Sequence, residues 1–165
     1  MDNLNKIDGV ILTPLKKVFN PMGDVLHAIK KSDDGFLGFG EAYFSTIKYN
    51  QIKPWKKHLK MTLNFIIPKG NIRIVIYDDR LYSNTKNNYF DFTLGEDNYQ
   101  RVTIPADLWV AFMGVDRENI LLNIISSNGQ SVEEIKAKAL DPEGKILFKD
   151  LAILRIIEPP LSASK

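Results

Sequence analysis

The sequence contains no cysteine among its 165 residues. That excludes disulfides, thiolate nucleophiles and cysteine-based zinc sites. Histidine is almost as scarce. His27 and His58 are the only two, too few for a metal centre built on three imidazoles and a carboxylate. No apolar run approaches the roughly 20 residues needed to span a bilayer. The polar start MDNLNKIDGV lacks the apolar segment of a secretory signal. The expectation is a cytoplasmic protein with no membrane partner. Net charge is only +2, too weak a field to recruit nucleic acid. Internal repeats and low-complexity tracts are missing. The glycines of DDGFLGFGE do not carry a strand into a helix, so they do not form a phosphate-cradling loop.

What is present suits one globular domain. Hydrophobic residues make up 44% and charged residues 25% of the chain, enough to bury a core without covalent staples. The domain is expected to span residues 1–158, with 159–165 a loose tail. Short segments rich in aromatic and β-branched residues recur: EAYFSTIKY, MTLNFIIP, NIRIVIYDD, YFDFTL, QRVTIP, LWVAFM and ILLNIIS. Turn residues separate them, as in GEDN, PAD and GVDREN. This pattern predicts an all-β sandwich or barrel with one or two short helices. IKPWKKHLKMTLNF, residues 52–65, reads as a β-hairpin. MTLNFIIP and NIRIVIYDD, joined at Lys69-Gly70, read as another. The best helix candidate is SVEEIKAKAL, with Ser131 as N-cap and Glu134 completing a capping box.

Strand alternation groups the polar residues, because residues two apart share a face. Glu41, Tyr43 and Ser45 form one set, Lys56 and His58 another, Thr62 and Asn64 a third. Arg73, Val75 and Tyr77 lie opposite Ile72, Ile74 and Ile76. Asn123 interrupts the apolar run ILLNIIS. A buried polar group is costly unless it is hydrogen-bonded. These residues are therefore either solvent-facing members of half-exposed sheets or a set converging on a polar ligand in a barrel mouth. The lysines of 52–65, Lys57 and Lys60 above all, have a further reading as a charged edge that discourages strand pairing.

The segment YDDRLYSNT, with Asp78, Arg80, Ser83 and Thr85, resembles the Asp-x-Arg…Ser-x-Thr turn of the dTDP-4-dehydrorhamnose 3,5-epimerase family. LGEDNYQRVTIPADLWVAF is similar to that family's segment at Asn98, Ile104, Pro105 and Phe112. GFGEAYFSTIKYNQIKPWKKH parallels its strand pair before the catalytic histidine. The resemblance covers Gly23 to Ser126. It implies a dimeric cupin-type double-stranded β-helix, or jelly roll. It implies an isomerase that takes a proton from beside the 4-keto group of a nucleotide-linked sugar and returns it from the other face, without metal or organic cofactor.

Position by position, the resemblance puts Lys56 where the family has its basic histidine. His58, two residues on, is the nearest imidazole, and its ordinary pKa suits proton transfer. Asn123 stands where the family has its acidic tyrosine. Val110 and His27 also replace family residues. For substrate binding, Glu41 stands in place of a Gln, Tyr43 in place of an Asn, Ser45 matches a Ser, and Lys53 replaces the arginine that meets the diphosphate. Lysine keeps that charge and loses the bidentate fork. Arg73 and Arg80 are candidates for neutralising phosphate or enolate charge. Tyr77 is a candidate for stacking on the ligand, and Asn64 for hydrogen-bonding it. Two functions stay open: a nucleotide-sugar epimerase or isomerase of polysaccharide biosynthesis, or a non-catalytic cupin that binds a nucleotide sugar or carbohydrate, or partners a sugar-modifying enzyme.

Overall fold

The computed structural model describes residues 6–126 and the backbone of 134–136. Twelve strands run in order: β1 Ile11–Pro14, β2 Lys17–Val18, β3 Val25–Leu26, β4 Glu41–Lys48, β5 Ile52–His58, β6 Leu63–Lys69, β7 Asn71–Tyr77, β8 Tyr89–Gly95, β9 Gln100–Ile104, β10 Trp109–Gly114, β11 Glu118–Ile125 and β12 Glu134–Lys136. They form two five-stranded sheets, ordered β1-β9-β6-β11-β4 and β12-β5-β10-β7-β8, with β2 and β3 a small separate ribbon. Every strand pair is antiparallel. The architecture is an all-β jelly roll.

The main core fills the space between the sheets. Leu63, Phe65 and Ile67 enter it from β6, Val102 and Ile104 from β9, and Leu121 and Ile125 from β11. From the other sheet come Ile72, Ile74 and Ile76 of β7, Leu94 of β8 and Val110 of β10. Alternation predicts these faces, because each strand keeps one side on the core. Two smaller clusters cover the outer faces. Trp55, Val75, Trp109 and Ala111 pack on one side. On the other, Ile66, Tyr99 and Ile124 lie beneath Leu15, Leu26, Ala28 and Ile29 of the N-terminal segment.

Three local expectations are overturned. Residues 52–65 are not a hairpin: β5 pairs with β10 and β12, whereas β6 pairs with β9 and β11 in the other sheet. Lys69-Gly70 is not a hairpin turn either, since β7 pairs with β10 and β8. Gly70, at φ +71°, turns the chain from one sheet to the other, and a Cβ there would collide with the Glu118 carbonyl. Alternation shows which face of a strand is apolar but is silent about which sheet the strand joins. The third correction concerns the helices. None occurs among the described residues, so none there is long and apolar enough to cross a membrane. Within SVEEIKAKAL, Glu134–Lys136 is a strand in register with His58–Lys56. A free edge on β5 offers backbone partners that outweigh local helix propensity. The rest of that segment, and the tail at 159–165, lie outside the described residues.

Candidate active site

One end of the space between the sheets is not filled by the core. A cavity of about 110 Å³ opens there, lined by side chains from both walls. Tyr43 and Ser45 of β4, Leu63 and Phe65 of β6, and Leu121 and Asn123 of β11 form one wall. Lys53, Lys56 and His58 of β5, with Val110 and Phe112 of β10, form the other. Phe65 and Phe112 meet edge to face across the gap, with centroids 5.6 Å apart. The floor is thus aromatic and aliphatic, and the polar groups stand above it.

A β-bulge on β5 shapes the basic wall. Val110 pairs with Lys56 and Phe112 with Lys53, so Pro54 and Trp55 together oppose Ala111. Strict alternation would put Lys53 on the same side as Trp55 and Lys57. The extra residue turns it back, and Lys53, Lys56 and His58 all line the cavity. Trp55, only 1% exposed, drops into the outer cluster instead. Lys57 also leaves the cavity. Its ammonium bonds Asp79 at 2.7 Å and Asp107 at 2.8 Å and lies over the Trp109 ring. Burial pushes the Lys57 pKa down, but the hydrogen bonds its ammonium donates to Asp107 and Asp79 outweigh it, and the net shift is upward. The backbone N–H of Asp107 donates to the His58 carbonyl at 2.7 Å. These contacts fix the strand that carries Lys56 and His58.

Opposite, Asn123 and Tyr43 are direct cross-strand partners. Asn123 Nδ2 donates to the Tyr43 hydroxyl at 3.0 Å. Asn123 is only 2% exposed, and its Oδ1 has no hydrogen-bond partner among the described residues. A buried amide oxygen left open beside a cavity is a ready acceptor for a ligand hydroxyl.

The cavity therefore gathers six of the eleven residues singled out from the sequence: Tyr43, Ser45, Lys53, Lys56, His58 and Asn123. The other five do not line it. Glu41 is exposed at the start of β4. Asn64 faces outward, accepting from Thr103 Oγ1 at 2.7 Å and donating to the Gly35 carbonyl. Arg73 holds Asp91 through two hydrogen bonds on the outer face of β7. Tyr77 packs against Tyr89 in the outer cluster. Arg80 grips Asp78 within its own turn and reaches the Asp8 carbonyl. For Asn64, Arg73 and Arg80 a local polar partner, rather than a ligand, explains the polarity. Leu63, Phe65 and Leu121 were not singled out. Alternation from Asn123 marks Leu121 as a member of the same face.

No family model matches the chain. The structure superposes on a dTDP sugar isomerase from Desulfovibrio desulfuricans G20 with a TM-score of 0.75 and 33% identity, covering 79% of this chain and 85% of that one. A dTDP-4-dehydrorhamnose 3,5-epimerase from Sulfolobus tokodaii shares the fold, at 22% identity and a TM-score of 0.72, over 83% of this chain and 80% of that one. The chain belongs to the dTDP-4-dehydrorhamnose 3,5-epimerase-like family. A probable low-salt glycan biosynthesis epimerase from Haloferax volcanii is 36% identical over 84 residues, half of this chain. The match spans 54% of that archaeal relative's length. Family membership accounts for the jelly roll, with the cavity of this epimerase-like chain held between its two sheets.

Proposed function

We propose that this chain is an epimerase or isomerase acting on a nucleotide-linked 4-keto sugar in glycan or deoxysugar synthesis, by proton transfer that needs no metal or organic cofactor. One observation carries this reading. A single cavity has an imidazole and an amine, His58 and Lys56, on one wall and a phenol and an amide, Tyr43 and Asn123, on the facing wall. A carbon beside a ketone is acidic enough for a positioned base to ionise it. A sugar ring lying between the sheets would present one face to each set. The glycan-biosynthesis relative and the dTDP sugar isomerase support the substrate class.

The cavity is smaller than the roughly 300–1,000 Å³ typical of whole-ligand pockets. It suits the sugar ring, with the nucleotide lying along the mouth. Lys53 is exposed and lines the cavity, and its charge supports a diphosphate contact there. We further propose a cytoplasmic homodimer and a single domain over residues 1–158. Leu37, Phe39 and Phe44 are exposed beside β4, a sheet-edge strand, and support a second copy docking there.

The test is incubation with dTDP-4-keto-6-deoxyglucose in deuterium oxide, followed by mass spectrometry and NMR. Deuterium is expected at C3 or C5, or at both. If no dTDP, UDP, GDP or CDP keto sugar exchanges, the enzyme reading falls. A thermal shift with the same sugars but no exchange would establish the binding-protein reading instead.

A further inference from the structure

We infer that the Tyr43 hydroxyl is the group that returns the proton, held for that task by Asn123, so that the reaction is an inversion and not a same-face exchange. This rests on the epimerase reading above and names its second catalytic residue.

Inversion at a carbon needs groups on both of its faces. A proton removed from one face of a carbon must be replaced from the other. The base candidates, Lys56 and His58, both come from β5 and share its wall. A donor for the opposite face must come from the facing sheet. That wall offers three polar side chains: Tyr43, Ser45 and Asn123. Asn123, although it occupies the position where the family carries its acid, is an amide with no ionisable proton. Among the three side-chain types only the phenol titrates in the range of biological acids. Tyr43 is therefore the one proton donor that the facing wall presents among the described residues.

Its geometry suits the role. Asn123 Nδ2 donates to the phenol oxygen at 3.0 Å. That occupies a lone pair of the oxygen and leaves the phenol O–H free to point at a ligand. The amide is itself buried, between β4 and β6, and is rigidly placed by strand pairing. The hydrogen bond it donates strengthens as negative charge grows on the phenol oxygen, the arrangement that stabilises the phenolate left by a departing proton. Tyr43 is 38% exposed, so solvent can reprotonate it after each turnover.

The step balances. The base takes the proton from the carbon beside the ketone, and the C–H electron pair moves into the enolate. The enolate carbon then takes the proton of the Tyr43 O–H bond on its other face. That forms the new C–H bond and leaves a phenolate held by Asn123. Water reprotonates the phenolate, and the protonated base returns its proton to solvent.

The experiment compares wild type, Tyr43→Phe and Asn123→Leu with dTDP-4-keto-6-deoxyglucose in deuterium oxide. Deuterium incorporation and product stereochemistry are read separately, and thermal unfolding is measured for each protein. Tyr43→Phe is expected to slow inversion about 10²- to 10⁴-fold, the usual worth of a general acid. Exchange at the same carbon should stay within about tenfold of wild type, because the base on β5 is untouched. Asn123→Leu should lower kcat for inversion by about tenfold with little change in KM, since it frees the hydroxyl without removing it. Tyr43→Phe inverting at the wild-type rate would overturn the assignment, as would loss of exchange together with inversion in a folded variant. If Tyr43→Phe does not fold, Asn123→Leu decides: inversion slowed with exchange intact supports the pair, and no change overturns it. A wild type that exchanges nothing removes the epimerase reading and this assignment with it. A wild type that inverts alongside an unaffected Tyr43→Phe removes the assignment alone.

Discussion

Two asparagines show how much one side chain's meaning depends on its surroundings. Asn64 and Asn123 each sit in an apolar strand and look alike in the sequence. Asn64 is satisfied by Thr103 and the Gly35 carbonyl. Asn123 is satisfied on its nitrogen alone. Asp78 and Arg80 fall with Asn64, each satisfied by neighbours within reach of its own turn. Asp78 is 0% exposed and accepts hydrogen bonds from Arg80, Ser83 and Thr85. Burial pushes its pKa up, but those hydrogen bonds outweigh it and hold the carboxyl well below the usual carboxylate range. A depressed folded pKa contributes stability above the unfolded value near 3.9, which is lost as pH falls below it. Asp78→Asn should cost about 2–3 kcal/mol at neutral pH. The gap to wild type should shrink in urea titrations run below about pH 4. The family-like turn around Asp78 is thus a structural knot that ties Asp8 to the barrel.

At the scale of an element, β5 carries the argument. Its seven residues hold three lysines and a histidine, and period two alone would place Lys53 with Lys57. One extra residue opposite Ala111 changes that assignment. The two lysines should therefore respond differently to the same substitution. Lys53→Met should weaken nucleotide-sugar binding by up to about fivefold, the worth of one exposed charge contact of about 1 kcal/mol, and leave thermal stability unchanged. Lys57→Met leaves Asp79 with only the Trp109 indole as a donor and takes the ammonium from Asp107, and should lower stability by about 1–2 kcal/mol with little effect on affinity. Isothermal titration and urea unfolding of both variants separate the two roles. The pair also sets a pH sign. Lys57's raised folded pKa means its contribution is intact below the unfolded value near 10.4 and is lost only as pH climbs past it. The bulge was not legible in the sequence. It arises where β5 is matched against β10, a strand about fifty residues away.

At the scale of the molecule, the path between β4 and β11 crosses repeatedly between the sheets, and most neighbouring strands are distant in sequence. Loop closure must precede each of these pairings, so refolding should take milliseconds to seconds. Trp55 and Trp109 are both buried, and their fluorescence in a stopped-flow mixer can follow it. A microsecond phase that recovers the full signal would contradict this topology. A clamp across the N-terminal segment completes the barrel. Arg101 is wholly buried and bonds the carbonyls of Ala28 and Asp34 and the carboxylate of Asp33. It thereby closes the outer face that Asn64 and Thr103 would otherwise present to water. By itself the sequence determined the β class, the apolar face of regular strands such as β6, β7 and β11 and a short roster of polar residues, because side-chain period is a local property of the backbone. The tertiary structure alone decided which sheet each strand joins, where β5 bulges and which polar residues meet in the cavity. Those choices depend on partners far along the chain, and no local pattern encodes a distant partner.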